Sequence, residues 1–367
     1  MIRVCVVAPA YMTGGQAIEA KTMLRGFADD PDVRLELQPI DPRIPAWLGR
    51  IRGVRTVARM PLYWAGLFRR ISRADVVHVF TAAFWPFLLT TTPAVLLGRL
   101  MGRPVIINYR DGRAADHIRH AWVRWVLERA SVLVFPSGFL QDVFRRFGLH
   151  GEVISNVVDT ERFRFRRRDP LQPVLLSCRL LEELYAVDNT IRAFALVRAQ
   201  VPEARLVIIG DGDQRASLEQ LVGELELSGV EFHGAVPHAE VPEWFDRTDV
   251  LVNSSVEDNM PHSLIEAFAA GLPVVTTGAG GIPYVVEDGR NGICVPMNEP
   301  ETMARAVLDL LDVPAKAAAL IDAAREDCEA RYSWMAARDE WVALYGRVLS
   351  LDVPVGRELT ASATELV

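Results

Sequence analysis

NSSVEDNMPHSLIEAFAAGLPVVTTGAGG, residues 253–281, is the end of a strand, a polar turn, a helix and a second strand in immediate succession. The run from Asp249 to Asn253 is short and apolar and predicts a β-strand. Ser263 to Ala270 carries apolar residues at helical period and stops at Gly271, the residue type best suited to the left-handed backbone that ends helices. Pro273 to Thr277 is rich in β-branched residues and predicts a buried strand.

Two acids flank the start of this helix. Asp258 and Glu266 lie eight apart, the first in the turn and the second one helical turn inside. The backbone N–H groups from about Met260 to Leu264 form an anion site at a helix N-terminus. Carboxylates beside a phosphate site are explained by sugar recognition, because one carboxylate can accept two hydroxyl hydrogen bonds. Glu266 would then hold a ribose diol and Asp258 the hydroxyls of a second sugar. The plainer alternative is that Asp258 caps the helix and Glu266 is a solvated surface acid.

At 367 residues, half of them hydrophobic, the chain is long enough for two domains with full cores. A net charge of −7 gives no nucleic-acid signal, and no nucleic-acid partner is expected. Cys5, Cys178, Cys294 and Cys328 have no CxxC spacing, which argues against a zinc site or a disulfide framework and suits a reducing cytosol. Met1 to Pro9 reads as a first strand and not as a signal peptide, so a cytoplasmic protein is expected. Val79 to Gly98 lacks charge, but Pro86, Pro93 and the preceding strand predict a buried strand followed by a buried helix in place of a membrane span.

Ile2 to Ala8, Arg34 to Ile40, Asp75 to Phe80, Pro104 to Tyr109, Ser131 to Pro136 and Glu152 to Ser155 are β-rich runs with helical stretches between most of them. This alternation predicts a doubly wound parallel sheet. Gly14 and Gly15 follow the first strand, where glycine lets backbone approach a phosphate or sugar closely. Arg43 to Arg73 holds eight arginines and no acid, with Trp47, Tyr63, Trp64 and Phe68 among them. Such a segment suits peripheral contact with an anionic membrane at its inner face, or a lipid-linked acceptor; a solvated arginine face with its aromatics in the core is the alternative. Arg162 to Arg168, followed by Pro170 and Pro173, reads as a domain boundary. In the second half, Ala204 to Asp213 (ARLVIIGDGD) is a strand with a glycine turn, and Arg215 stands where a dinucleotide fingerprint needs its third glycine.

The acid-x7-Glu spacing, followed by Ala-x-Ala-x-Gly-Leu-Pro-Val-Val and Gly-Gly, resembles the donor-binding motif of retaining glycosyltransferases of family 4. Ser137-Gly138-Phe139-Leu140 and Asn156-Val157-Val158-Asp159 with Phe163 match further patterns of that family. The resemblance spans about residues 1–350. It implies an α/β protein of GT-B fold, with two doubly wound Rossmann-like domains facing a cleft. The expected organisation is an acceptor-side domain over 1–165, a nucleotide-sugar domain over 166–330, a terminal helix over 331–350 crossing back to the first domain, and a polar tail without fixed structure over 351–367.

By the same resemblance, Gly14, Gly15, Gly210 and the loop at Val236 would line the ligand, the last facing the base. Asn259, Met260, Pro261, His262, Ser263, Leu264 and Glu266 would form the donor pocket. The family usually has Glu as its first acid; here Asp258 takes that place and Glu257 is a rival for the role. A histidine common in relatives aligns with Arg110, so Arg110, Asp111, His117 or His120 would replace it near the transferred sugar; the plainer reading makes both histidines helix-surface residues. Arg179 matches the cation that neutralises the donor diphosphate, whereas Leu184 stands in place of the family's lysine and Tyr185 is its expected substitute. His233 and His238 read as structural or exposed.

The implied activity is transfer of a sugar from a UDP-, GDP- or ADP-sugar to a sugar, lipid-linked or small-molecule acceptor, with retention. Cell-surface polysaccharide and glycolipid synthesis are the implied settings. No metal motif is placed at the site, so Arg179 and helix N–H groups would stabilise the leaving diphosphate and activity would survive EDTA. A nucleotide-sugar epimerase and a non-catalytic nucleotide-sugar-binding subunit are the alternatives.

Overall fold

The computed structural model describes residues 1–11, 15–43, 54–81 and 84–350, which leaves Gly14, part of the arginine-rich segment and the tail outside the described residues. The chain divides into two compact units. Met1–Pro136 and Leu140–Ile154 join the chain from Arg338 onward in unit 1; Ser137–Phe139 and Ser155–Ala337 form unit 2.

Unit 1 is a six-stranded sheet of β1 (Ile2–Ala8), β2 (Val33–Pro39), β3 (Val76–Thr81), β4 (Val105–Tyr109), β5 (Val132–Phe135) and β6 (Glu152–Val153), in the order β2-β1-β3-β4-β5-β6. Every pairing is parallel. Unit 2 repeats the plan with β7 (Val174–Cys178), β8 (Arg205–Ile209), β9 (Val230–Gly234), β10 (Val250–Asn253), β11 (Val274–Thr277) and β12 (Ile293–Val295), in the order β12-β11-β10-β7-β8-β9, again parallel throughout. Parallel sheets are covered by helices on both faces, so their strands read as continuous apolar runs. All residues of β3, β4, β10 and β11 are buried, which is why these runs carry no polar alternation.

The last helix, Trp334–Ser350, sends Trp341 and Tyr345 into unit 1. Trp341 lies against the His78 ring at 4.6 Å, and Tyr345 Oη is 2.9 Å from His78 Nδ1. Arg338 fastens the same helix through Asp30 (2.6 Å) and Asp32 (3.0 Å). In unit 2 the arginine stretch is bonded to the fold. Arg166 reaches Asp249 at 2.6 Å, and Arg168 is fully buried. The four cysteines are free thiols, and burial pushes Cys5 and Cys328 up to about 12.

The run from Val79 corrects one expectation. β3 is buried as predicted, but the π-helical turn Phe87–Thr91 and the helix Thr92–Leu100 leave Leu88, Leu96 and Leu100 exposed, because these elements are covered on one side only. Among the described residues no helix is long and apolar enough to cross a membrane.

Candidate active site

In unit 2 the sheet runs outward from β7 in two directions, to β8 on one side and β10 on the other. Ligands of open α/β sheets bind beyond the carboxyl ends of strands at such a switch point. The register Leu251↔Leu176 brings the ends of β7 and β10 side by side. Arg179 leaves one strand there and the Asp258 turn leaves the other.

Arg179 and Asp258 form a charge-assisted hydrogen bond between Nη2 and Oδ2, and both side chains are largely buried. Burial raises the Asp258 carboxyl above its ordinary value, opposed chiefly by the Arg179 charge and by the Asn259 N–H, which donates to Oδ1 at 2.8 Å. The Arg179 guanidinium lies 3.9 Å above the Tyr185 ring, so Tyr185 holds that cation from its other face. Arg179 Nε is buried without a hydrogen-bond partner, and so is Ser263 Oγ in the first turn of the helix His262–Ala270. Glu257, the rival acid, is exposed.

The acid turn is held by backbone. The Leu184 carbonyl accepts the N–H groups of Val256 (2.9 Å) and Glu257 (3.2 Å). A Cβ at Gly281 would stand 1.9 Å from the Asn259 carbonyl oxygen, and one at Gly280 would stand 2.1 Å from that of Asp258, so this pair must be glycine for the turn to seat. At Gly210, where φ is +136°, a Cβ would collide with the Arg179 carbonyl at 1.8 Å. Asn259 accepts from Ser137 Oγ at 2.5 Å, and the Met260 carbonyl accepts from Asn156 at 3.1 Å. The helix starts after Pro261 without a side-chain cap, so Asp258 is not a cap. His262 and Leu264 lie in its first turn, and Leu264 donates its N–H back to the Pro261 carbonyl at 3.2 Å.

Glu266 is buried, which overturns the solvated reading, and its Oε1 lies 3.2 Å from His238 Nε2. Arg162 Nη1 lies 3.0 Å from His238 Nδ1, and Arg162 Nη2 donates to the His238 carbonyl at 2.6 Å. Arginine can only donate, so Nδ1 accepts and Nε2 carries the proton toward Glu266. His238, set aside as structural or exposed, therefore orients the carboxylate. Nothing in the linear pattern announces this, because 28 positions separate the pair. Val236 in the same loop packs against the core beneath the helix, and His233 lies against Trp244 at 4.1 Å. A hollow of about 420 Å³ nearby is lined by Glu182, Glu183, Asp188 and Glu224 with Arg192, the wrong charge for a diphosphate.

The remaining expected residues belong to unit 1. Gly15 opens the helix Gly15–Gly26, and just past β1 Asp41 accepts the N–H groups of Ala10 and Tyr11 at 2.8 Å each. Arg110 is buried, 3.8 Å from Glu19, and donates to Asn108 at 3.3 Å. Asp111 accepts the Arg113 N–H at 3.0 Å. His117 is fully buried, against the helix-surface expectation, with Tyr109 Oη 2.8 Å from its Nδ1; His120 is exposed. Among the described residues no group of three or more His, Cys, Asp or Glu side chains is arranged to hold a metal ion.

Residues 159–327 match the family model of glycosyl transferases group 1, and residues 13–162 match that of glycosyltransferase family 4. A GDP-mannose-dependent alpha-(1-6)-phosphatidylinositol monomannoside mannosyltransferase of Mycolicibacterium smegmatis is 30% identical over 291 residues, which cover 72% of this chain and 75% of the relative. The chain belongs to glycosyltransferase family 4. A Mycobacterium tuberculosis glycogen synthase is 29% identical over 279 residues, 71% of this chain, and the match spans 66% of that enzyme, just under two thirds. Two solved structures share the fold at 18% identity over 95% of this chain and 100% of their own: HepE of Anabaena (TM-score 0.72) and sucrose-phosphate synthase of Thermosynechococcus elongatus (TM-score 0.75). This glycosyltransferase is thus a two-domain GT-B protein.

The His238 arrangement makes a prediction about this glycosyltransferase. His238→Ala removes one hydrogen bond from a buried carboxylate and, with Glu266 as the nucleotide ligand proposed below, should weaken nucleotide binding about 2–10-fold, equivalent to about 0.5–1.5 kcal/mol. His238→Gln, which can both donate and accept, should recover most of that. Calorimetric titration of both variants checks it, and equal affinities for the alanine variant and the parent would remove His238 from the site.

Proposed function

We propose that unit 2 binds a nucleoside diphosphate sugar and that the enzyme transfers the sugar to an acceptor hydroxyl with retention at the anomeric carbon. The observation that carries this reading is the pair of buried, unsatisfied groups, Arg179 Nε and Ser263 Oγ, at the carboxyl ends of β7 and β10. Buried donors without partners cost stability unless a ligand supplies acceptors, and a diphosphate supplies several. Arg179 has further N–H donors beyond the one given to Asp258, so one guanidinium can serve both. HepE was solved with UDP-glucose, and the mycobacterial relative is named as GDP-mannose-dependent; both fit such a donor.

In this reading Glu266, held by His238, accepts the ribose diol, while Asp258 meets the transferred sugar. The bond between the anomeric carbon and the leaving phosphate oxygen breaks as the acceptor oxygen bonds to the same face. The acceptor proton passes to the departing phosphate, whose charge Arg179 and the helix N-terminus stabilise. Tyr185 supports Arg179 where the family's lysine is absent.

Calorimetric titration with UDP, GDP and ADP in the presence of EDTA tests the proposal. One nucleotide should bind, and Glu266→Ala should weaken it about ten- to a hundredfold, equivalent to roughly 1.5–3 kcal/mol. Unchanged affinity in that variant would exclude Glu266 as the ribose ligand, and binding of no nucleotide would overturn the proposal.

A further inference from the structure

Unit 1 carries an exposed apolar surface. On the helix Val54–Ile71, Met60, Trp64 and Phe68 recur at every fourth position and share one face. Trp64 and Phe68 are each 58% exposed. Beside them the turn Phe87–Thr91 and the helix Thr92–Leu100 present Leu88, Leu96 and Leu100. Met60, Trp64, Leu88, Leu96, Leu97 and Leu100 line an open groove of about 550 Å³. The groove is held in place from within, because Tyr63, fully buried behind it, donates its Oη to the Thr90 carbonyl at 2.7 Å. The neighbouring helix Ala121–Leu127 adds exposed Trp122 and Trp125. Isolated exposed apolar residues need no explanation, but a contiguous set built on adjacent helices marks an interaction surface.

The charge around this surface identifies its partner. From Arg43 to Arg110 the sequence holds eleven arginines and a single acid, Asp75, which Arg3 already pairs at 2.8 Å. Arg69 and Arg99 lie on the two groove helices, with Arg73 just past the first, and none of the three forms an ion pair among the described residues. Tryptophan and leucine side chains flanked by unpaired cations match the acyl–headgroup boundary of an anionic bilayer, where the apolar groups enter the boundary and the arginines meet lipid phosphates.

We propose that this face of unit 1 docks on an anionic lipid surface, with Trp64, Phe68, Leu96 and Leu100 entering the boundary and Arg69, Arg73 and Arg99 contacting headgroups. The proposal does not depend on the donor chemistry of unit 2.

Co-sedimentation of the full chain with vesicles of phosphatidylcholine, and of phosphatidylcholine mixed with phosphatidylglycerol, tests it. The chain should bind the anionic vesicles and not the zwitterionic ones, and added salt should weaken binding, because screening acts on the cationic rim. Trp64→Ser combined with Leu96→Ser should lower vesicle binding about tenfold or more, as should Arg69→Gln combined with Arg99→Gln. Thermal unfolding of each variant, compared with the parent, establishes that it is folded. Absence of binding to anionic vesicles, or apolar and arginine variants that bind as well as the parent, would overturn the proposal. So would light scattering showing a dimer that the apolar variant dissociates while vesicles remain unbound, since the face would then join two copies of the chain.

Discussion

Arg168→Met should destabilise unit 2 by about 3–5 kcal/mol, measured as the loss in urea unfolding followed through the fluorescence of Trp244. Arg168 is fully buried and donates to five carbonyls: Phe245 (2.6 Å), Ala270 (2.7 Å), Gly271 (2.8 Å), Arg166 (2.9 Å) and Thr248 (3.0 Å). Its Nε is also 3.3 Å from Asp249. Burial, aided by the Arg166 charge, lowers its pKa to about 10, still high enough to keep it charged at neutral pH. Methionine would fill much of the volume and satisfy none of those oxygens. The Asp249 carboxylate would keep Arg166 (2.6 Å) and the Gln172 N–H (2.6 Å), so the main cost falls on the orphaned carbonyls.

Two of those carbonyls, Ala270 and Gly271, end the helix that begins at the candidate donor site. A cation there complements the helix dipole and fixes the helix against the sheet. Arg168→Lys should recover only part of the loss, because one ammonium cannot reproduce the planar fork. A loss below about 1 kcal/mol in the methionine variant would show that solvent or rearranged neighbours replace the guanidinium.

Unit 1 should lose stability steeply in mild acid. His78 is completely buried, and burial, with the Arg110 charge adding to it, pushes its pKa down to about 3; burial is also the first cause that lowers His117 to about 4. Asn108 Oδ1 accepts from Arg110 and Nδ2 donates toward His78 Nε2 at 3.3 Å, so the His78 proton sits on Nδ1 and is donated to Tyr345. Both folded-state values lie below the unfolded value of 6.5. Above pH 6.5 neither state is protonated and pH has no effect through these groups. Below it the unfolded chain takes up two protons that the folded chain refuses, so stability falls as pH falls.

The slope approaches about 2.7 kcal/mol per pH unit for the pair, and roughly 4–5 kcal/mol should be lost between about pH 6.5 and pH 4.5. Asp258 acts in the opposite sense in unit 2, since its raised value favours the folded state as it protonates. The paired carboxylates Asp30 and Asp75 are depressed and contribute only at still lower pH. Urea unfolding at a series of pH values, read through the near-ultraviolet signal of Trp341 packed against His78, gives the slope. His78→Gln should remove about half of it; a slope unaltered by that substitution would assign the acid sensitivity elsewhere.

How far the sequence reaches can be followed residue by residue. β1, β3, β4, β10 and β11 sit where the apolar runs put them, because a strand covered on both faces has few polar positions to blur the signal, whereas the partly buried β9 (VEFHG) does not read as a strand. Gly271 ends its helix with φ at +74°, and the Leu272 N–H closes on Ala267 at 2.9 Å, as its place after an apolar helical run implied. Asp258 and Glu266 were legible as acids at a helix start. The choice between Asp258 and Glu257 was not, because adjacent residues differ only in which way the turn aims them, and the glycines that aim it lie more than twenty positions away.

The sequence by itself determined a doubly wound parallel sheet in the first half, with strand boundaries within a residue or two, and the family resemblance that implied the second, since each of these rests on local periodicity or short motifs. Only the tertiary structure decided the fate of the charges. It buried Arg168 among backbone carbonyls in a stretch that reads as a domain boundary, set Arg179 between Asp258 and Tyr185, and joined His238 to Glu266. A charged side chain is exposed by default and is buried only where distant groups take up its charge, a condition that exists in three dimensions and leaves no period in the chain.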